Sequence, residues 1–453
     1  MNTRVFLFLQ GPHGPFFEQI AAALSAAGHQ VLRVALNSGD CSLSSHHAQY
    51  LPYRGRPANF QTWVKKVILD YEVTDVLLYG DCRTYHQEVI TLKHDLNLKI
   101  WVLEEGYLRP NWVTLECDGV NAHSNLVERF RAWLTQTNTR HLDLQAFENS
   151  KPVGRTLRGL VFWCHIYYLK RFFGTVLYPF YRSHRPVSYL LEAVAWLRKL
   201  TVRRLGRVRR SELAVQSLLE SPEPFYLVPL QLDADAQVLH HSDYVNMRQF
   251  LNEVLTSFAQ HAPKNSRLAV KTHPLDSEVV NYQRVVNQLA IPLGIKNRVV
   301  FLETGAIPVL LKHAAGVVTV NSTVGLQAIH HRCPTKVMGR AIYNQPELTA
   351  QCALDAFWQR LPKPKHRFYQ SLRYFLLKDC QINGSFYSIR GRKVLIPALV
   401  ERLLDAETRP ERIMAQHHPK PHTPSNVTWI HYPQPDNSVV ATEPYVLPRR
   451  RVV

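Results

Sequence analysis

The sequence predicts an α/β protein made of two Rossmann-like domains that face each other across a cleft. Three observations carry this reading. Short apolar runs rich in Val, Leu, Ile and Phe recur along residues 1–140 and again along 221–405, with helix-length stretches between them. That alternation is the signature of a parallel sheet covered on both faces. The conspicuous polar clusters sit where these runs end, at the carboxyl edge where open parallel sheets hold their ligands. Between the two blocks, residues 141–220 drop the pattern and turn basic and aromatic.

In the first block RVFLFLQ (4–10) reads as a strand, and FFEQIAAALSAAG (16–28) as a helix stopped by Gly28. HQVLRVAL (29–36) is the next strand and closes in the turn-rich NSGD. A helix follows around 62–71, then the strand DVLLYG (75–80), a helix around 86–94 and the strand KIWVLEEG (99–106). The second block opens with FYLVPLQ (225–231) and a helix at 244–261. It continues with RLAVKTHP (267–274), a helix near 278–293, RVVFLE (298–303), a short helix at 307–314, GVVTVNS (316–322) and a helix at 323–331. Residues 406–453 carry eight prolines and three consecutive arginines, Arg449, Arg450 and Arg451; such a segment has little to bury and is expected to be flexible.

Lys and Arg outnumber Asp and Glu by 54 to 35, a net charge of +19, which calls for an anionic partner. The excess is concentrated: residues 151–210 hold 14 Lys and Arg against one acid, Glu192. Aromatic residues are interleaved with them, as in VFWCHIYYLKRFF, which suits docking on an anionic membrane surface. No nucleic-acid-binding motif accompanies the charge, so no nucleic-acid partner is expected. No run of 18 or more uncharged apolar residues occurs, so no membrane-spanning helix is predicted. Seven scattered cysteines without a CxxC spacing argue against a disulfide framework or a zinc site and fit a reducing cytoplasm.

Four clusters can carry chemistry. In WVLEEGYLRP a strand runs into adjacent acids, Glu104 and Glu105, followed by Gly106 and Arg109. Neighbouring like charges push each other's pKa apart, and a glycine beside them admits a close-lying substrate, so either acid suits general acid/base work. PLQLDADAQ places Gln231, Asp233 and Asp235 at another strand end, on one side if the strand continues. A carboxylate there can act as a nucleophile on an anomeric carbon. VKTHP supplies Lys271, His273 and Pro274, a cation and an imidazole fit for a phosphate. VNSTVGLQAI places Asn321, Ser322 and Thr323 at a helix start, where free N–H groups bind anions or a hydroxyl simply caps the helix. Together these are the layout of a two-domain glycosyltransferase with a nucleotide-sugar donor in its cleft.

The ordered set FLQGPHGPFF, YGDCRTYH, LEEGYLRP, VPLQLDAD, KTHP and VNSTVGLQAI resembles the capsular polysaccharide synthesis/export proteins of Gram-negative bacteria, and more narrowly the KpsS/LipB-type β-Kdo transferases. The resemblance covers roughly residues 4–345. It implies a GT-B-like enzyme, peripheral on the cytoplasmic face of the inner membrane, that transfers β-Kdo from CMP-β-Kdo to a phosphatidylglycerol-type lipid. It further implies that His273, Pro274, Lys271, Asn321, Ser322 and Thr323 hold the CMP side, and that Glu104 or Glu105 is the acid/base. Gln231 and Asp235 match a Q-x-x-x-D motif with a nucleophilic Asp, and Asp233 stands two residues away. Gly11, His13, Gly106 and Arg109 fall on the acceptor side. The expected partners are the CMP-sugar donor, an anionic phospholipid and other capsule synthesis and export proteins; no cofactor and no metal are expected, since protein groups can neutralise the leaving phosphate. Two further readings stay open: a transferase of the same fold with another nucleotide sugar, and a non-catalytic, membrane-docked export or assembly component.

Overall fold

In a computed structural model, residues 3–41, 47–137, 139, 150–184, 191, 194–195, 198–199 and 206–405 are described. The expected flexible tail at 406–453 and much of the basic stretch at 185–205 lie outside these residues. Two sheets organise the chain. The first contains β1 (Val5–Phe8), β2 (Gln30–Ala35), β3 (Gln49–Pro52), β4 (Asp75–Tyr79), β5 (Lys99–Glu105) and β6 (Trp112–Cys117). The second contains β7 (Phe225–Pro229), β8 (Arg267–Lys271), β9 (Val299–Leu302), β10 (Gly316–Thr319) and β11 (Thr335–Val337). A last strand, β12 (Gln381–Asn383), comes after the second sheet in sequence yet pairs with the first.

The sheet orders are β12-β6-β5-β4-β1-β2-β3 and β11-β10-β7-β8-β9. Read from its first strand, each half has the doubly wound order 3-2-1-4-5, so its switch point falls between its first and fourth strands. In the first half that is the gap between β1 and β4; in the second, between β7 and β10. Strands such as VFLF and FYLVP are buried throughout because helices cover both faces. Phe16–Ala26 contributes Phe16, Phe17, Ile20, Ala21 and Leu24 to the first core, and the chain leaves the helix through Gly28 at φ +86°. Met247–His261 buries Phe250, Leu251, Val254, Leu255 and Phe258 in the second.

The first sheet departs from the all-parallel expectation at one edge, where β5–β6 and β6–β12 are antiparallel. For β5–β6 the cause is loop length: only six residues link Glu105 to Trp112, and a parallel return needs a dozen or more. The short strands β3, β6, β11 and β12 also lie beyond the elements expected from the sequence.

The basic, aromatic segment begins as one helix, Thr156–Phe173. One side of it is tied to the first sheet: Tyr167 OH accepts from Gln10 Nε2 (3.2 Å) and Asn37 Nδ2 (2.8 Å), and Lys170 Nζ donates to the Cys41 carbonyl (3.3 Å). The other side presents Phe162, Leu169, Phe172 and Phe173 at helical spacing, and Val176 in the turn beyond; Phe173 is 74% and Val176 87% exposed. No helix of the described residues is long and apolar enough to cross a membrane.

Candidate functional site

The carboxyl ends of the two sheets meet in a cavity of about 850 Å³. Glu104, Glu105 and Arg109 line it from the first half; Gln231, Asp235, Lys271, His273, Pro274, Asn321, Ser322 and Thr323 line it from the second. Four other expected site residues do not. Asp233 turns away because the strand ends at Pro229 and a turn follows, closed by Asp235 N–H donating to the Leu232 carbonyl (3.0 Å), so the alternation that would align 231, 233 and 235 stops. Its carboxylate accepts instead from Met247 N–H (2.9 Å) and the Tyr282 hydroxyl. Gly11 packs against the Phe17 ring, where a Cβ would approach within 2.7 Å. His13 packs against Tyr167 in a tilted pair with ring centroids 4.2 Å apart and so holds the Thr156–Phe173 helix. Gly106 serves the β5–β6 hairpin: a Cβ there would meet the Trp112 carbonyl oxygen at 2.3 Å, which leaves its expected role in admitting substrate without support.

At the switch point of the second sheet, Gln231 and Asn321 join the ends of β7 and β10 directly. Gln231 Nε2 donates to Asn321 Oδ1 (3.0 Å), and Asn321 N–H donates to Gln231 Oε1 (3.2 Å). Asn321 Nδ2 donates in turn to the Gln237 carbonyl (2.6 Å) and the His241 carbonyl (3.0 Å), fixing the loop that carries Asp235. Asp235 itself accepts from Gln237 N–H (3.0 Å). Burial raises its pKa, while the Gln237 N–H, the Arg109 guanidinium and the Gln231 amide favour the charged form.

Glu104 is half-buried, and its carboxyl is pushed up to about 7, first by burial and then by the charges of Glu105, Asp235 and Asp81, while the Glu105 N–H works the other way. Asp235 belongs to the opposite half, so two acids from different domains feel each other across the cleft. Glu105 is also raised by burial, an effect opposed by its ion pair with Arg109 at 3.1 Å.

His273 accepts the Leu275 N–H at Nδ1 (3.1 Å), which fixes its tautomer: the proton sits on Nε2. Burial and the cations Lys271, Arg109 and Lys199 pull its pKa down to about 4, so it is a neutral donor at pH 7. Beside it the helix Thr323–His330 opens with Ser322 as N-cap, its hydroxyl accepting from Val324 N–H (3.2 Å). Thr323 stands at the first helical position, where the N-terminal N–H groups favour an anion. The arrangement offers a half-buried carboxylate, an acid raised toward neutrality, a neutral imidazole donor and a helix start around one space.

Tyr79, Asp81, Cys82, Tyr343 and Tyr387 also line the cavity and were not among the expected site residues. Tyr79 and Tyr387 hydroxyls meet at 3.4 Å beside the paired acids, across 308 residues of chain. Of these, only the motif YGDCRTYH offered a signal, and it contains three of the five.

A family model described as capsule polysaccharide biosynthesis protein matches residues 74–387, a span that includes all the cavity-lining residues from Tyr79 to Tyr387. The Escherichia coli capsule polysaccharide export protein KpsS is 35% identical over 389 residues, 85% of this chain and 98% of that protein. The capsule polysaccharide modification protein LipB of Neisseria meningitidis serogroup A is 33% identical over 384 residues, 84% of this chain and 91% of that one. Among solved structures, the β-Kdo 2,7 transferase of Thermosulfurimonas dismutans KpsC aligns over 89% of this chain and 100% of its own, at 15% identity and a TM-score of 0.44. A match of this breadth, enclosing the cavity and its walls, shows that the chain belongs to the capsule polysaccharide biosynthesis protein family.

Proposed function

We propose that the chain is a retaining glycosyltransferase that moves β-Kdo from CMP-β-Kdo to a phosphatidylglycerol-type lipid, the first step of the lipid linker on which capsule is assembled. One observation carries the reading: acids from the first half and a carboxylate, an imidazole and a helix start from the second line one cavity, sized for a small ligand. The choice of Kdo rests on the motif resemblance, with Gln231 and Asp235 in the Q-x-x-x-D positions.

In this reading an Asp235 oxygen attacks the anomeric carbon, and the bond to the CMP phosphate breaks with its electron pair leaving on the phosphate. The His273 Nε2–H and the start of the Thr323–His330 helix receive that charge. The lipid hydroxyl then attacks the same carbon, Glu104 takes its proton, and Asp235 is released. Two inversions leave the configuration retained. A carboxyl near 7 suits a base that exchanges protons at neutral pH. The exposed aromatic stripe of Thr156–Phe173, with the exposed cations Arg155 and Arg158 at its start, would hold the enzyme on an anionic leaflet at the cytoplasmic face of the inner membrane, within reach of its acceptor and of other capsule proteins.

The test incubates purified full-length protein with CMP-Kdo made in situ and a fluorescent phosphatidylglycerol, and follows the lipid by mass spectrometry. The lipid should gain the mass of one Kdo, and Asp235→Ala should lose turnover by more than about a thousandfold. Near-normal turnover in Asp235→Ala would remove the nucleophile from the reading. Transfer only from a different nucleotide sugar would keep the two-acid chemistry and replace the donor.

A further inference from the structure

In the wall of the cavity, and outside the transfer chemistry, four side chains from three separate stretches come together. Asp81 and Cys82 follow β4, His123 stands in the 3-10 turn after β6, and His241 belongs to the second half. One ligand-capable atom from each lies within 4.8 Å of the other three. Cys82 Sγ is 3.1 Å from Asp81 Oδ1 and 3.4 Å from His241 Nε2, and His123 Nδ1 is 3.0 Å from Asp81 Oδ2. A tetrahedral zinc ion, with bonds of about 2.3 Å to sulfur and 2.0–2.2 Å to nitrogen or oxygen, spaces its ligands by roughly 3.3–3.6 Å. Seating such an ion therefore asks the close pairs to separate by a few tenths of an ångström and the widest, up to 4.8 Å apart, to draw in by up to about 1.5 Å.

We propose that Asp81, Cys82, His123 and His241 bind a zinc-type divalent cation that staples the two α/β halves together at the wall of the cleft. The donor set decides the metal class. A thiolate and two imidazoles favour zinc-like ions, whereas magnesium and calcium prefer oxygen ligands throughout. Four protein ligands complete a tetrahedron and leave no open position, which marks the site as structural. On binding, the Cys82 S–H bond breaks, the sulfur lone pair goes to the metal and the proton passes to solvent; the proton that His123 Nδ1 shares with Asp81 moves to Nε2, or to solvent if Nε2 already holds one, which frees Nδ1 for the metal.

The surroundings hold the ligands in place. Val120 N–H donates to Asp81 Oδ2 (3.1 Å), and Gln87 Nε2 donates to the Asp81 carbonyl (2.5 Å). The His241 carbonyl accepts from Asn321 Nδ2 (3.0 Å) and Arg340 N–H (2.8 Å). The metal thus fixes the position of residue 241 in the second half relative to β4 in the first.

The test uses the full-length protein, stripped with chelator, re-equilibrated with zinc, dialysed and analysed by inductively coupled plasma mass spectrometry. Close to one zinc per chain should be retained, and zinc should raise the melting temperature of the unmodified protein. Cobalt in its place should show sulfur-to-metal charge-transfer absorption and tetrahedral visible bands. Cys82→Ser should abolish the charge-transfer band, and His241→Ala should weaken retention at least about tenfold. Cys352→Ser, elsewhere in the fold, should behave as the unmodified protein. Retention below a tenth of an equivalent, or a charge-transfer band that persists in Cys82→Ser, overturns the proposal; the melting shift needs no variant and guards against misfolding. None of these readouts depends on which sugar is transferred.

Discussion

Two aspartates two positions apart in QLDAD have opposite surroundings, and this makes them separable by substitution. Asp235 lines the cavity, while Asp233 ties down the start of the Met247–His261 helix and the Tyr282 hydroxyl. Asp235→Asn should abolish transfer with little change in melting temperature. Asp233→Asn should cost about 1–2 kcal/mol in urea titrations and keep most of its turnover at low temperature. Glu104 makes a different prediction, about pH. Its carboxyl holds its proton up to about 7 in the folded chain and loses it near the usual carboxylate value when unfolded. Between those values the native state binds more protons than the unfolded one, so stability falls as pH rises through this window. Glu104→Gln should flatten that decline in a series of melting temperatures taken on chelator-treated protein, and should slow transfer by about 10²- to 10⁴-fold. The paired acids, the QLDAD strand end and the Lys-Thr-His-Pro motif were all visible in the sequence. The metal cluster was not, because Cys82, His123 and His241 are 41 and 118 residues apart along the chain and meet only through the tertiary fold.

The central strands were legible because they are apolar on both faces and separated by helix-length stretches. VFLF, DVLLY, FYLVP and GVVT each announce a buried parallel strand without reference to any partner. β6 and β12 were not, since WVTLEC becomes an interior strand only when Gln381–Asn383 returns from far along the chain to cover its free edge. The same distinction applies to Gly106: the sequence showed a glycine next to two acids, and the structure assigns it to a hairpin. Gly106→Ala should destabilise by about 1–3 kcal/mol through the clash with the Trp112 carbonyl. The Thr156–Phe173 helix carries a prediction of another sort. Replacing Phe172 and Phe173 by Ser should weaken binding to phosphatidylglycerol vesicles by at least about tenfold in sedimentation assays, given roughly 1.5–3 kcal/mol for each buried aromatic. Binding of the unmodified protein should weaken as salt is added, because the exposed Arg155 and Arg158 stand at the start of the apolar stripe.

Away from the open cleft the two halves share a core. Tyr107, Leu108, Leu126 and Phe130 from the first half pack with Leu326, Ile329, Ile342, Tyr343, Leu372, Phe375 and Leu376. At the rim of this region Arg131 donates to Glu347 (2.7 and 2.9 Å) and to Gln345 (2.8 Å). A common interior couples the unfolding of both sheets, so urea should give a single transition by fluorescence and circular dichroism alike. Phe130→Ala should shift it by about 3–5 kcal/mol, because the ring is fully enclosed. The path of the chain after the second sheet adds a practical rule. Gln381–Asn383 closes the flank of a sheet begun more than 370 residues earlier, with Gln381 Nε2 donating to Thr114 Oγ1 (2.8 Å). Severing the polypeptide near residue 220 would therefore not release two self-sufficient pieces. The amino-terminal fragment would bare the backbone of Trp112–Cys117 to any strand it met and clump, and adding back the distal segment as a separate peptide should rescue its solubility.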